Sequence, residues 1–324
     1  MKSKYIATLA ALVASPFCLA QTSSYFLETD VEYTTRDTDL EDSQLNEDNI
    51  DFGATLYFAP IETANSGAAL RELPFTQRSS LVDLQLNIRE LDDDIDNVVD
   101  LDAYRINGLW VSPNSGWYGK LGYINADTDV SGDFTSGIFR YQPDFDGYSA
   151  EIGKYVAENT TLGLAYSEVD YENQVEASLL ESGSDTIGVT FRHYTALTDS
   201  SGFSLEGNLY FIDLQVSQFD ELDDQGLESS GEVYGFKATY YPNRELGFGI
   251  SYSDADDLGG RPYLTARTAI RDGAGIFAEW FVTERFSVKA RYANNEYDLS
   301  DADNFEEPGE VDSDSLTFGA AYRF

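Results

Sequence analysis

The stretch Ser315-Leu316-Thr317-Phe318-Gly319-Ala320-Ala321-Tyr322-Arg323-Phe324 has two faces. Leu316, Phe318, Ala320, Tyr322 and Phe324 fall on one; Ser315, Thr317, Gly319, Ala321 and Arg323 fall on the other. A period of two is that of a β-strand, whose successive side chains point to opposite sides. In a chain of formal net charge −38, such a strand needs an apolar surrounding on one side only.

The same alternation recurs upstream. Its clearest instances are Ile50/Phe52/Ala54/Leu56/Phe58, Val82/Leu84/Leu86/Ile88 and Trp117/Gly119/Leu121/Tyr123. Others are Ile187/Val189/Phe191, Phe203 to Phe211, Tyr234 to Tyr240, Leu246 to Tyr252 and Phe286 to Tyr292. Weaker alternation covers 23–35, 98–111, 146–155, 160–171 and 273–282, which makes fourteen strands with the last one. Repeated alternating segments of roughly ten residues are the mark of transmembrane β-strands. The reading is all-β: an antiparallel up-and-down transmembrane barrel of fourteen strands, the count being open between about twelve and sixteen. The stretch 263–270 also alternates and is read as a hairpin extension above the membrane.

The connections alternate too. Short ones fall at 112–116, 157–160, 198–202, 242–245 and 283–285. Long, acidic, Gly-rich ones fall at 37–48, 91–98, 128–146, 172–183, 217–230, 255–272 and 298–313. Short turns on one side and long loops on the other is the asymmetry of outer-membrane barrels, with the short turns periplasmic. An even strand count puts both ends of the barrel on that side. Trp110, Trp117 and Trp280 flank short turns on the apolar parity, where a periplasmic aromatic girdle belongs. Residues 59–79 are periplasmic by parity yet long, and read as an extended turn with a helical turn around Ala68–Leu73.

Residues 1–20 carry Lys2 and Lys4, an apolar run from Tyr5 to Val13 and the small-residue site Cys18-Leu19-Ala20. That is the layout of a cleaved signal peptide, leaving 21–324 as one barrel domain. Phe17 stands where lipoprotein processing of Cys18 wants a small residue, so no acyl anchor is expected. No stretch of about 20 apolar residues follows, so no helix spans a bilayer. A strongly acidic chain does not bind nucleic acid by default, because that needs cationic neutralisation of phosphates.

With the apolar parity facing lipid, the other parity lists the interior. Its acids are Glu28, Asp30, Glu32, Asp51, Asp83, Glu151 and Glu206; its bases are Arg105, Lys120, Arg192, Lys237, Lys289, Arg291 and Arg323. A basic side chain at the bilayer midplane would cost about 2–4 kcal/mol on the lipid face, so these positions imply a water-filled lumen. Strand one is acidic while Arg105, Lys120, Lys237, Lys289 and Arg291 sit at mid-height, which suggests opposed walls and a transverse field. The alternative is a set of solvated, mutually paired charges. Phe134, Ile138, Phe139 and Phe145 make 128–146 the loop expected to fold inward.

Acidic runs at 39–42, 92–96 and 301–307 are hard-oxygen candidates for Ca²⁺ or Mg²⁺, but none has an ordered ligand pattern, and a solvated outer face explains them as well. For catalysis there is neither a phosphate loop nor a zinc motif. The single histidine, His193, shares the lipid-facing parity of Val189 and Phe191. Neither enzyme chemistry nor a cofactor is expected.

The alternating strands, the terminal S-L-T-F-G-A-A-Y-R-F and the segment Y-F-A-P-I-E-T…G-A-A-L-R-E-L-P-F-T-Q-R-S-S resemble the general porins of Gram-negative, often marine, proteobacteria. The resemblance implies an outer-membrane channel through which small hydrophilic solutes and ions diffuse passively, set in lipid and lipopolysaccharide. It also implies that Tyr322 and Phe324 form the signal read by the barrel assembly machinery. General porins are often trimers, but fourteen-stranded barrels can be monomers, and the sequence leaves this open. Two other readings stay open: a sugar-selective channel with Tyr57, Tyr118, Tyr210 and Tyr241 as a stacking track, and a closed structural or adhesive barrel.

Overall fold

The computed structural model describes residues 24–39, 44–64, 67–93, 98–131, 144–175, 178–217, 227–256, 270–299 and 309–324. Fourteen strands run in order: β1 (Ser24–Asp39), β2 (Gln44–Glu62), β3 (Leu81–Asp93), β4 (Val98–Val111), β5 (Trp117–Ser131), β6 (Asp144–Ala157) and β7 (Thr160–Val175). Then follow β8 (Ser178–Ala196), β9 (Gly202–Ser217), β10 (Leu227–Tyr241), β11 (Leu246–Asp256), β12 (Ile270–Phe281), β13 (Phe286–Leu299) and β14 (Gly309–Arg323). Each pairs antiparallel with its sequence neighbours, and β14 returns to pair with β1, closing the barrel. Closure leaves no unpaired strand edge, which hydrocarbon could not satisfy.

The closing register is Glu28 opposite Arg323, Val31 opposite Ala320 and Tyr33 opposite Phe318. It keeps both apolar columns on one face, because a slip by one residue would turn every side chain over. The outward column is exposed, as a lipid-facing surface must be: Leu121 is 70% exposed and Phe58 65%. Trp110, Trp117 and Trp280 are exposed on this face beside short turns. Toward the other end the outward column changes from apolar to acidic through tyrosines. Tyr292 donates to Asp314 at 2.6 Å, Tyr166 to Asp185 at 2.7 Å and Tyr252 to Asp272 at 3.0 Å. Each tyrosine keeps its ring toward the apolar belt and its hydroxyl toward water, which marks the second interface.

The strands overrun the stretches expected from alternation. The 19 residues of β8 span about 60 Å at about 3.3 Å per residue, far more than a tilted strand needs to cross the apolar thickness. Most of the acidic connections at 37–48 and 172–183, and the ends of the others, are therefore ladder. The loop expected at 172–183 is mostly β7 and β8, paired out to Val175 opposite Ser178. Above the membrane both faces meet water, so the alternation that reveals a strand fades. The inward-folding loop expected at 128–146 falls largely on 132–143, outside the described residues. So do 263–269 and most of the three acidic runs; among the described residues no group of three or more metal-ligating side chains is brought together.

Short turns need compact chemistry. In the β4–β5 turn, Gly116 takes φ +70, donates to the Ser112 carbonyl at 2.9 Å and accepts from the Tyr155 amide at 2.7 Å. A side chain there would be strained in the left-handed region.

Candidate functional site

The lumen holds a cavity of about 1150 Å³ lined by charged, polar and apolar side chains alike, with Arg71, Glu72, Pro74 and Phe75 of the β2–β3 connection at its periplasmic end. Expected as an extended turn, this segment folds into the barrel mouth. A 3-10 turn, Leu70–Glu72, leads into a single α-helical turn, α1 (Leu73–Thr76), with Pro74 near its N-terminus, where a missing N–H costs least. The helix ends with Arg78 at φ +53, its N–H bonding to the Phe75 carbonyl and that of Ser79 to Pro74. This is the Schellman arrangement, with arginine where glycine is usual. The unfavourable backbone is offset by the guanidinium, which lies 4.6 Å from the Tyr155 ring centroid and donates to the Glu158 carbonyl.

Ala68, Ala69, Leu70 and Leu73 are buried, packed on Tyr25, Tyr57, Ile61, Tyr194, Tyr241 and Phe281. Thus the main apolar core of the described structure lies across the periplasmic end, beneath the cavity. The turn is held from several sides of the wall. The Ala69 amide donates to the Tyr194 hydroxyl at 3.0 Å and the Leu70 amide to the Arg244 carbonyl at 2.9 Å. Arg244 returns bonds to the carbonyls of Thr63 and Ala68, and the Tyr155 hydroxyl donates to the Phe75 carbonyl.

Two adjacent charges in this turn reach the lumen. Arg71 donates to Glu28 on β1 at 3.1 Å and lies 3.7 Å from Glu279 on β12. Glu72 accepts from Arg192 on β8 at 2.9 Å and from the Tyr241 hydroxyl at 2.7 Å. Burial works against the Glu72 carboxylate, but Arg192 and the Tyr241 hydroxyl together hold its pKa below the usual carboxylate range. The interior parity could not find Arg71, Glu72 or the role of the turn, because they are not on a strand. The one local signal was a charged pair inside the apolar run Ala68-Ala69-Leu70-Arg71-Glu72-Leu73.

The remaining interior charges mostly form neighbouring pairs. Lys120 binds Glu151 at 2.6 Å, Lys237 approaches Glu206 at 3.6 Å, and Lys289 pairs with Glu32 and, at 3.7 Å, with Asp30. Asp51 accepts from Asn87 at 2.6 Å, and Asp83 from Thr55 at 2.9 Å. The opposed acidic and basic walls expected from strand order are replaced by local dipoles. Only β14 separates acidic β1 from the Lys289 and Arg291 strand, so those charges are near neighbours and not facing walls. Arg105 and Arg291 differ from the rest, each having no ion pair or hydrogen bond among the described residues.

Arg323 borders the base of the cavity and is almost wholly buried there. It is 1% exposed and sandwiched between the Tyr25 and Phe281 rings at 4.6 and 4.4 Å, donating to Glu28 at 2.6 Å and to the Leu70 carbonyl at 3.1 Å. Of the tyrosines considered as a sugar track, Tyr57, Tyr210 and Tyr241 border the cavity and Tyr118 does not. Tyr57, Tyr118 and Tyr241 are buried; Tyr118 donates to Glu151 and Tyr57 packs edge-on to Tyr25. His193 faces outward as expected, its Nδ1 2.8 Å from the Thr160 hydroxyl.

No family model matches the chain, and no curated protein sequence does. Solved structures do match. The Acinetobacter baumannii outer membrane protein Omp33 superposes with a TM-score of 0.54 at 15% identity, covering 94% of this chain and 100% of that one. The Pseudomonas putida toluene transporter TodX gives 0.48 at 9% identity over 97% and 93%. The Omp33 likeness and the closed ladder together establish the fold: this chain is a fourteen-stranded β-barrel of the outer-membrane kind.

Proposed function

We propose that the protein is an outer-membrane channel of the general porin type, passing small hydrophilic solutes and ions and held closed at its periplasmic end by the β2–β3 turn. The observation that carries this reading is the juxtaposition of a charge-lined lumen of about 1150 Å³ with a β2–β3 segment packed on the wall across its base. Lipid-facing aromatics and a charged interior are the division of surface that an aqueous channel needs. The turn is not part of the strand ladder, and in this reading it can leave its seat. In this reading residues 1–20 direct export, Tyr322 and Phe324 direct assembly, and the belt meets lipid and lipopolysaccharide.

The packed base also favours a second reading, a permanently closed barrel acting through its outer surface. Planar-bilayer recordings of wild type and of a variant with residues 68–76 replaced by a short Gly-Ser linker separate the two. Rare or small wild-type steps that grow in the variant support a gated channel. Silence from both, with folded barrels verified, supports the closed barrel and removes the channel.

A further inference from the structure

We infer that the lumenal wall formed by β9–β13 holds a binding recess for a small organic carboxylate, centred on Arg291. The inference deepens the channel reading by assigning a substrate class, but the recess can be tested without flux.

Arg291 is the first reason. Lumenal Lys120, Arg192, Lys237 and Lys289 each have a carboxylate partner. In a chain with 58 acids against 20 bases, a lumenal guanidinium without an anion is the exception. Arg291 projects into water, has no ion pair or hydrogen bond among the described residues, and borders both the main cavity and a side recess of about 320 Å³. A guanidinium presents a planar fork of donors that matches a carboxylate in a bidentate fashion.

The recess is the second reason. Its back wall carries Gly235, Ser251, Ser253 and Gly273, positions too small to fill the space that their neighbours leave. Phe277 lies opposite Arg291 across the β12–β13 ladder. Its ring is laid flat over Gly249, where any Cβ would collide with the ring. Gly249 thus leaves room on the wall for the ring beside Arg291. On its neighbour's side the Lys237 ammonium stands 5.1 Å from the ring centroid, within cation–π range.

The chemistry of the occupant follows. Lys237 and Arg291 face one acid, Glu206, whose contact with Lys237 is loose at 3.6 Å. The surplus is one positive charge, which suits a monoanion and disfavours a dianionic phosphate. The Asn208 and Asn295 amides also border the recess and can serve a polar substituent, while Phe277, on the main-cavity side of Arg291, offers an apolar surface for a carbon skeleton. A volume of about 320 Å³ lies at the low end of small-ligand sites, which are about 300–1,000 Å³.

The test is saturation-transfer NMR on the detergent-solubilised full-length barrel, with propionate and its neutral isostere propionamide as probes. Propionate should give a saturable signal at least tenfold stronger in apparent affinity than propionamide. Arg291→Gln should abolish that preference, Arg291→Lys should restore part of it, and Arg105→Gln, removing the other unpaired lumenal arginine, should leave it unchanged. Equal binding of the two probes, absence of binding, or equal loss with Arg105→Gln would overturn the recess. Binding that persists while bilayers show no conductance would keep the recess and remove the channel.

Discussion

Arg323 Nε donates to Glu28 Oε2 at 2.6 Å, joining two residues 295 positions apart, one on the closing strand and one on the first. Arg323 also reaches the Leu70 carbonyl, and Arg71 reaches the same carboxylate from above. One buried acid therefore ties barrel closure to the seated turn.

Arg323→Ala should leave the Glu28 carboxylate buried with a single, partly exposed partner. Breaking a buried pair from one side costs about 3–5 kcal/mol, and the aromatic sandwich on Tyr25 and Phe281 is lost with it. Thermal melts of the purified barrel should show a clear fall in midpoint, with Arg323→Lys recovering only part of it. An unchanged midpoint would mean that the closing strand is held by its backbone ladder alone.

Glu72→Gln keeps the shape and the Tyr241 contact but removes the charge that Arg192 faces. Because Arg192 is a third exposed, the cost should fall below the range for a fully buried pair. The expected result is a seated turn that withdraws more often: higher mean conductance in bilayers at neutral pH, with little change in melting. Conductance equal to wild type would remove Glu72 from the closure.

The pH dependence of closure follows from the same residue, which lies in the turn and not in a strand. Its pKa is lowered in the folded protein, so the stabilisation is complete above the unfolded carboxyl value of about 4.3 and is lost as pH falls through the lower folded value. Acid-induced opening should therefore appear only well below about pH 4 in wild type and be blunted in Glu72→Gln. An opening transition near pH 6 in both proteins would assign the response to another group.

Deleting Phe324 removes its amide bond to the Leu27 carbonyl, its carbonyl acceptor for Phe26, and an edge-to-face contact with Tyr322 at 4.8 Å. The yield of folded barrel in outer membranes should drop severalfold, while the ion preference of the fraction that assembles should match wild type. Normal yield with altered preference would reverse the role assigned to the terminus.

Strand number, orientation and the two faces were legible in the sequence because each rests on a local rule. In Leu316/Phe318/Ala320/Tyr322 a period of two meets a solvent that differs on the two sides, and the cost of a charge in lipid fixes which side is which. The strand ends above the membrane were not legible, since beyond the apolar belt a strand meets water on both faces and alternation has nothing to select.

Partnership between charges was not legible either, because it depends on which strands become neighbours and how high each residue stands. Closure brings Glu32 to Lys289 across β14, a pairing that turns an expected transverse field into local dipoles. The seat of the β2–β3 turn was not legible either. Leu70 and Leu73 bury only if a ring of tyrosines already surrounds an empty mouth, and that ring exists only once all fourteen strands have closed. Local alternation suffices to specify a barrel with a wet interior; a packed base follows only from closure, since burial there needs contacts from residues as far apart as Glu28 and Arg323.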